Sequence, residues 1–146
     1  MTRLPSFATE AELLAWAQRK QSTDVVTRID PSEEQEQMAL VARARLHEGT
    51  YPALRLLFHV PNGGSRHVVE AKKLKALGVL AGVPDLILLY AAHDFHGWCG
   101  EMKVKGGAPT SEQKRIINEL KRRGYFAEFF YTQEAAWQSL LWYVKP

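Results

Sequence analysis

Asp85 and the tripeptide Glu101-Met102-Lys103 are the residues of this chain whose types and spacing suit chemistry. Two carboxylates and one ammonium form the set that a metal-dependent phosphodiesterase needs. Carboxylates brought together in a partly dry cleft repel one another, and a bound divalent ion is the usual way to keep both ionised. Oxygen-only ligands favour Mg²⁺ or Mn²⁺ over zinc.

The flanking residues say how such a set is positioned. Pro84 fixes φ and breaks any helix, so Asp85 stands at the mouth of the apolar run Leu86-Ile87-Leu88-Leu89-Tyr90, which reads as a buried strand. The run Trp98-Cys99-Gly100-Glu101-Met102-Lys103-Val104 alternates with period two. That period sends Glu101 and Lys103 to a chemical face and Met102 and Val104 to a core face. The two runs read as a hairpin joined through residues 91–97.

Three capping boxes punctuate the rest of the chain: Thr9 with Glu12, Ser32 with Gln35, and Thr110 with Gln113. They predict helices over 10–20, 33–48 and 111–123, the second ending at Gly49 and the third at Gly124. A strand is expected over 54–60, followed by the Pro61-Asn62-Gly63-Gly64 loop and a helix opening at Ser65. This basic helix should turn Val68, Ala71, Leu74 and Leu77 inward and keep Arg66, Lys72, Lys73 and Lys75 outside. A strand over 125–131 and a helix over 133–143 complete the order. The result is an α/β domain, a mixed β-sheet flanked by α-helices, with the strand after the 111–123 helix returning parallel by a right-handed crossover. Residues 1–31 read as an accessory helix and connector, and residues 32–146 as the main domain.

At 146 residues, 46% hydrophobic and 24% charged, the chain is long enough to bury a core as one domain. The net charge of +3 is concentrated in residues 66–75 and 114–123, which fits a polyanionic partner. Cys99 is the single cysteine, so no internal disulfide forms, as suits a reducing compartment. The first residues lack the apolar core of a signal peptide, and no apolar run approaches the roughly 18 residues that span a bilayer. A soluble, cytoplasmic protein with no membrane partner is expected.

Four blocks in order then carry a resemblance: Asn62-Gly63-Gly64-Ser65-Arg66; Leu74 through Leu86, which includes Gly82-Val83-Pro84-Asp85; Glu101-Met102-Lys103; and Ser111-Glu112-Gln113. Together they closely resemble the VRR-NUC (virus-type replication-repair nuclease) family of the PD-(D/E)xK nuclease superfamily, over roughly Ser32 to Tyr131. The resemblance implies a restriction-endonuclease-like core with Mg²⁺ or Mn²⁺ held by Asp85 and Glu101, aided by the Met102 carbonyl. A helix carboxylate completes the set. Glu33, one helical turn before Gln37, is its first candidate and Glu36 the second, with Glu34 crowding the assignment. By the same resemblance Lys103 positions the attacking water or stabilises developing charge, and Gln113 orients water or Lys103. Asn62, Gly63, Gly64, Arg66, Lys72, Lys73 and Lys75 would contact DNA. The implied activity is a DNA endonuclease leaving a 5′-phosphate, with branched DNA as substrate in the manner of a Holliday-junction resolvase. Paired nicks call for a homodimer. A flap, nicking or single-strand-directed nuclease is the alternative within the family, and a DNA-binding subunit without chemistry the alternative outside it.

Plainer roles stay open for several of these residues. Asp85 is also placed to cap a turn, Glu101 to pair with Lys103 or Lys105 on an exposed strand, and Glu33 to favour a helix dipole. Gln113 occupies the capping-box position. His93, His96 and Cys99 tempt as a zinc cluster, but alternate residues across a hairpin point apart and no fourth ligand is evident. Leu13, Leu14, Trp16, Trp137, Leu141 and Trp142 are candidates for a dimer interface, with core packing as the competing role.

Overall fold

The first described helix, α1 (Glu33–Leu46), begins where its capping box places it. The Ser32 hydroxyl accepts from the Gln35 amide at 3.2 Å, and the Gln35 side chain accepts from the Ser32 amide at 3.0 Å. The structure, a computed structural model, describes residues 31–61 and 68–146. The helix expected over 10–20 with its Thr9 cap, and the loop residues Asn62, Gly63, Gly64 and Arg66, lie outside that range.

After α1 the chain departs from the expected strand over 54–60. Pro52 opens a short 3-10 helix through Leu56, in which the Leu54 amide bonds back to the Tyr51 carbonyl, so extended structure is limited to β1 (Leu57–His59). Helix α2 (Val68–Ala76) follows, then β2 (Leu86–Leu88), β3 (Trp98–Met102), α3 (Ser111–Arg122), β4 (Phe126–Phe130) and α4 (Gln133–Val144). Leu89 and Tyr90 drop out of the second strand because its edge partner β1 offers three residues to pair with.

The sheet runs β1-β2-β3-β4, antiparallel between the first three strands and parallel between β3 and β4, with α3 as the crossover. The mixed sheet flanked by helices is the expected α/β architecture. The hairpin between β2 and β3 turns at Ala92-His93-Asp94-Phe95, whose end residues exchange two backbone hydrogen bonds at 2.9 and 3.1 Å. His93 and Asp94 adopt φ of 50° and 65°, the twist of a primed turn that matches the flanking strands.

Two layers of side chains hold the sheet. On one face Leu86, Leu88, Trp98 and Met102 pack with Leu40 and Ala44 of α1 and with Ala136, Trp137, Leu140 and Tyr143 of α4. On the other, Cys99 and Ala127 meet Ile117 of α3. The Trp98 indole donates to the Ser139 hydroxyl at 2.9 Å and lies across Gly100, where a Cβ would run into the ring. Trp137 is part of this core, 2% exposed, so packing is its role rather than a subunit contact. Trp142 is half exposed and stacks on His93 with ring centroids 4.6 Å apart.

Helix α2 differs from expectation. None of its residues is buried, Leu74 is only partly covered, and Val68 and Leu77, both expected to turn inward, are each 71% exposed. The apolar stripe of this helix therefore does not seat on the described core. Among the described residues no helix is long and apolar enough to cross a membrane.

Candidate functional site

The ladder between β2 and β3 brings the two carboxylates together. Leu86 pairs with Gly100 and Ile87 with Cys99, so one further step of the same antiparallel register sets Asp85 opposite Glu101. The side-chain alternation turns both toward the α3 face. There each strand clamps the other's carboxylate: the Asp85 amide donates to Glu101 Oε2 at 3.2 Å, and the Met102 amide donates to Asp85 Oδ2 at 3.0 Å. Asp85 thus bonds across the ladder rather than capping its own turn.

Glu101 and Lys103 are 3% and 7% exposed, which excludes a solvated strand pair. Lys103 Nζ lies 3.0 Å from Glu101 Oε1 and 3.7 Å from Glu33 Oε1. On the core face Met102 is buried, but Val104, expected there, is exposed. Glu33 also accepts from the Val104 amide at 3.2 Å, which ties the first turn of α1 to the end of β3. Glu36 does otherwise: its carboxylate accepts from the Gln133 amide and caps α4, while Glu34 is exposed. Of the three acids, Glu33 is the one that reaches the site.

Gln113 closes the capping box and also reaches the site, where its partner is Glu101 rather than Lys103. Its Oε1 accepts from the Thr110 amide at 2.9 Å and closes the capping box, while its Nε2 donates to Glu101 Oε1. Gly82 makes that reach possible. With φ +83° and a would-be Cβ 2.6 Å from the Glu112 carbonyl carbon, it lets the turn before Asp85 press against the first turn of α3.

Gln37 is drawn elsewhere. Its amide lies 2.9 Å from His59 Nδ1, and that nitrogen is 2.8 Å from the Asp85 carbonyl oxygen. Sequence reasoning assigned His59 no role. The only signal that exposes it is the strand register, in which His59 pairs with Leu86 and so adjoins Asp85.

Burial raises the Asp85 carboxyl above its ordinary range, against the bond from Met102 and the field of Lys103. Burial likewise raises Glu101. It opposes charge on Lys103 too, but the Glu101 contact and the fields of Glu33 and Asp85 outweigh it and hold the ammonium protonated. A cation would relieve the burial penalty that raises both carboxylates, as Lys103 already does in part. Among the described residues no three Asp, Glu, His or Cys side chains converge as one ligand group. Two carboxylates suit Mg²⁺ or Mn²⁺, which keep several waters and need no all-protein cage.

The remaining candidates lie apart from this cluster. Lys72, Lys73 and Lys75 are exposed on α2. His93 Nε2 lies 3.0 Å from the Trp142 carbonyl, His96 packs against Tyr125, and Cys99 is buried, its thiol pushed up to about 11 by desolvation. These three side chains serve separate contacts.

No family model matches the chain, and no curated protein matches it. Among solved structures, a chain described as a "VRR_NUC domain protein" superposes with a TM-score of 0.68 at 26% identity, covering 79% of this chain and 89% of that one. This chain has a VRR-NUC-like fold. Coverage of that extent takes in most of the molecule rather than a shared sheet alone. In the VRR-NUC-like fold described here, the site gathers at the Asp85 end of the sheet, where α1 and α3 both begin and β3 ends.

Proposed function

We propose that this protein is a Mg²⁺- or Mn²⁺-dependent DNA endonuclease. The observation that carries the reading is the Asp85–Glu101 pair, clamped across one ladder with Lys103 buried beside it, in a nuclease-type fold. Asp85, Glu101 and the Met102 carbonyl would hold the cation, with Glu33 at the margin. Bound there, the cation supplies Lewis-acid charge and lowers the pKa of a water. Lys103, fixed by two carboxylates, presents its ammonium to the scissile phosphate, where negative charge grows during in-line attack. Gln113 keeps one oxygen of Glu101 engaged and so limits how that carboxylate can turn.

Lys72, Lys73 and Lys75, with Arg66 and the Asn62-Gly63-Gly64 backbone, would follow the phosphates. The substrate we favour is branched DNA, cut by a two-fold homodimer that nicks opposed strands and leaves 5′-phosphates. A panel of four-way junction, flap, plain duplex and single strand, each with Mg²⁺, Mn²⁺ or Ca²⁺, tests this. Paired nicks in the junction with Mg²⁺ or Mn²⁺ are expected. Equal cutting of unbranched DNA would move the assignment to a flap or nicking nuclease, and binding without any cutting would leave a DNA-binding subunit.

A further inference from the structure

We infer that His59 is a positioning residue for the site: it locks the Asp85 peptide so that the Asp85 carboxylate stays aimed across the ladder at β3. The inference rests on the nuclease reading only for its effect on cutting. Three observations carry it. His59 Nδ1 lies 2.8 Å from the Asp85 carbonyl oxygen, a group that accepts hydrogen bonds and cannot donate them, so Nδ1 bears the proton in that contact. The same oxygen accepts from the Val60 amide at 2.8 Å, so consecutive residues of the β1 end hold one carbonyl from two directions. The Gln37 side-chain amide meets Nδ1 at 2.9 Å, and with its oxygen turned to that nitrogen it would share the single Nδ1 proton with the Asp85 carbonyl.

Asp85 needs such a brace. β2 begins one residue later, at Leu86, and Pro84 before it has no amide proton to give. The Asp85 carboxylate bonds to Met102 and its amide to Glu101, so a shift of the Asp85 backbone, which its braced carbonyl resists, loosens both halves of the clamp at once. Gln37 and His59 thus connect α1 to the metal-side carboxylate by a route separate from Glu33. The helix pair Glu33 and Gln37 divides its labour, one toward Lys103 and one toward Asp85 through the imidazole.

The test compares wild type with His59→Ala and His59→Asn, since the asparagine amide restores an N–H near the Nδ1 position. Amide hydrogen exchange is read by NMR on the metal-free protein, and nicking is read in parallel with Mn²⁺. In His59→Ala the Asp85 and Met102 amides should exchange at least about tenfold faster than in wild type, with Cys99 and Leu88 amides unchanged, and His59→Asn should restore most of the protection. Nicking should fall in His59→Ala and recover in His59→Asn. Unchanged protection at Asp85 and Met102, or a loss spread evenly over the sheet and not rescued by asparagine, would overturn the positioning role. A wild-type protein that fails to nick any DNA would count against the nuclease reading alone, because the exchange comparison is made without metal or DNA.

Discussion

Asp85 and Glu101 face each other across one ladder, yet substituting them should move stability in opposite directions. The Asp85 carboxylate is held by the Met102 amide, and burial is the largest influence on its carboxyl. Its folded pKa lies above the unfolded one, so the metal-free fold gains stability as pH falls through the folded value toward the unfolded value, and ionised Asp85 costs stability above it. Asp85→Asn keeps an acceptor for Met102 and removes that cost, so chemical denaturation near neutral pH without metal should find it more stable than wild type. Burial raises Glu101 in the same sense, but Glu101→Gln takes away the 3.0 Å partner of the buried Lys103 ammonium and leaves it Glu33 at 3.7 Å, a loss that should outweigh the relief and make the variant less stable. Both should lose cleavage by more than the roughly 10–100-fold typical of partners outside the ligand shell. Gln113→Glu separates the two roles of that residue: glutamate at N3 still closes the box with Thr110, but sets a carboxylate against Glu101. The expected result is strongly reduced nicking with the cap intact; nicking at the wild-type level would reduce Gln113 to a cap. Asp85, Glu101, Lys103 and Gln113 were legible because a proline, a period-two run and a capping box fix where they stand. His59 was not, because its role depends on which strand lies beside Asp85.

At the scale of elements, turns decide the site more than strands do. Gly82 carries a left-handed φ and sits against the backbone of α3, so Gly82→Ala adds conformational strain to an overlap that no side-chain rotation relieves. A loss of about 1–3 kcal/mol is expected. Part of it should appear as displacement of Gln113 from Glu101, read as a drop in nicking beyond what the change in folded fraction explains. The helix starts at Ser32 and Thr110 could be read from the sequence because capping is local chemistry. The start of β1 could not: Leu54 to Leu56 have strand-like composition, but Pro52 commits them to a 3-10 turn whose packing buries Leu54. Helix α2 misled for the converse reason, since Val68, Ala71 and Leu74 show helical spacing and periodicity does not say whether a surface awaits the stripe.

For the whole molecule, the two basic clusters differ: Lys72, Lys73 and Lys75 lie on α2, which adds nothing to the core, whereas residues 114–123 lie on α3, which buries Ile116 and Ile117. Replacing Lys72, Lys73 and Lys75 together should flatten the dependence of log affinity on log salt by about 2–3 if all three meet phosphates, while leaving the thermal midpoint nearly unchanged because α2 buries nothing. An unchanged slope would place DNA on another face. The gathering of the site from four distant elements has a consequence for energetics. Glu33, Asp85, Glu101 and Gln113 meet only after the sheet has closed and both covering helices have docked, so an unfolded chain contains no fragment of the proposed cation site. A ligand of this kind binds the native state alone, and its binding energy becomes folding energy by mass action. Saturation at a hundred times the dissociation constant should add about 2.7 kcal/mol, visible as a thermal midpoint that climbs with Mn²⁺ in wild type and stays level in Asp85→Asn. The divalent ion content of its surroundings would then set how long the protein lasts as well as whether it works.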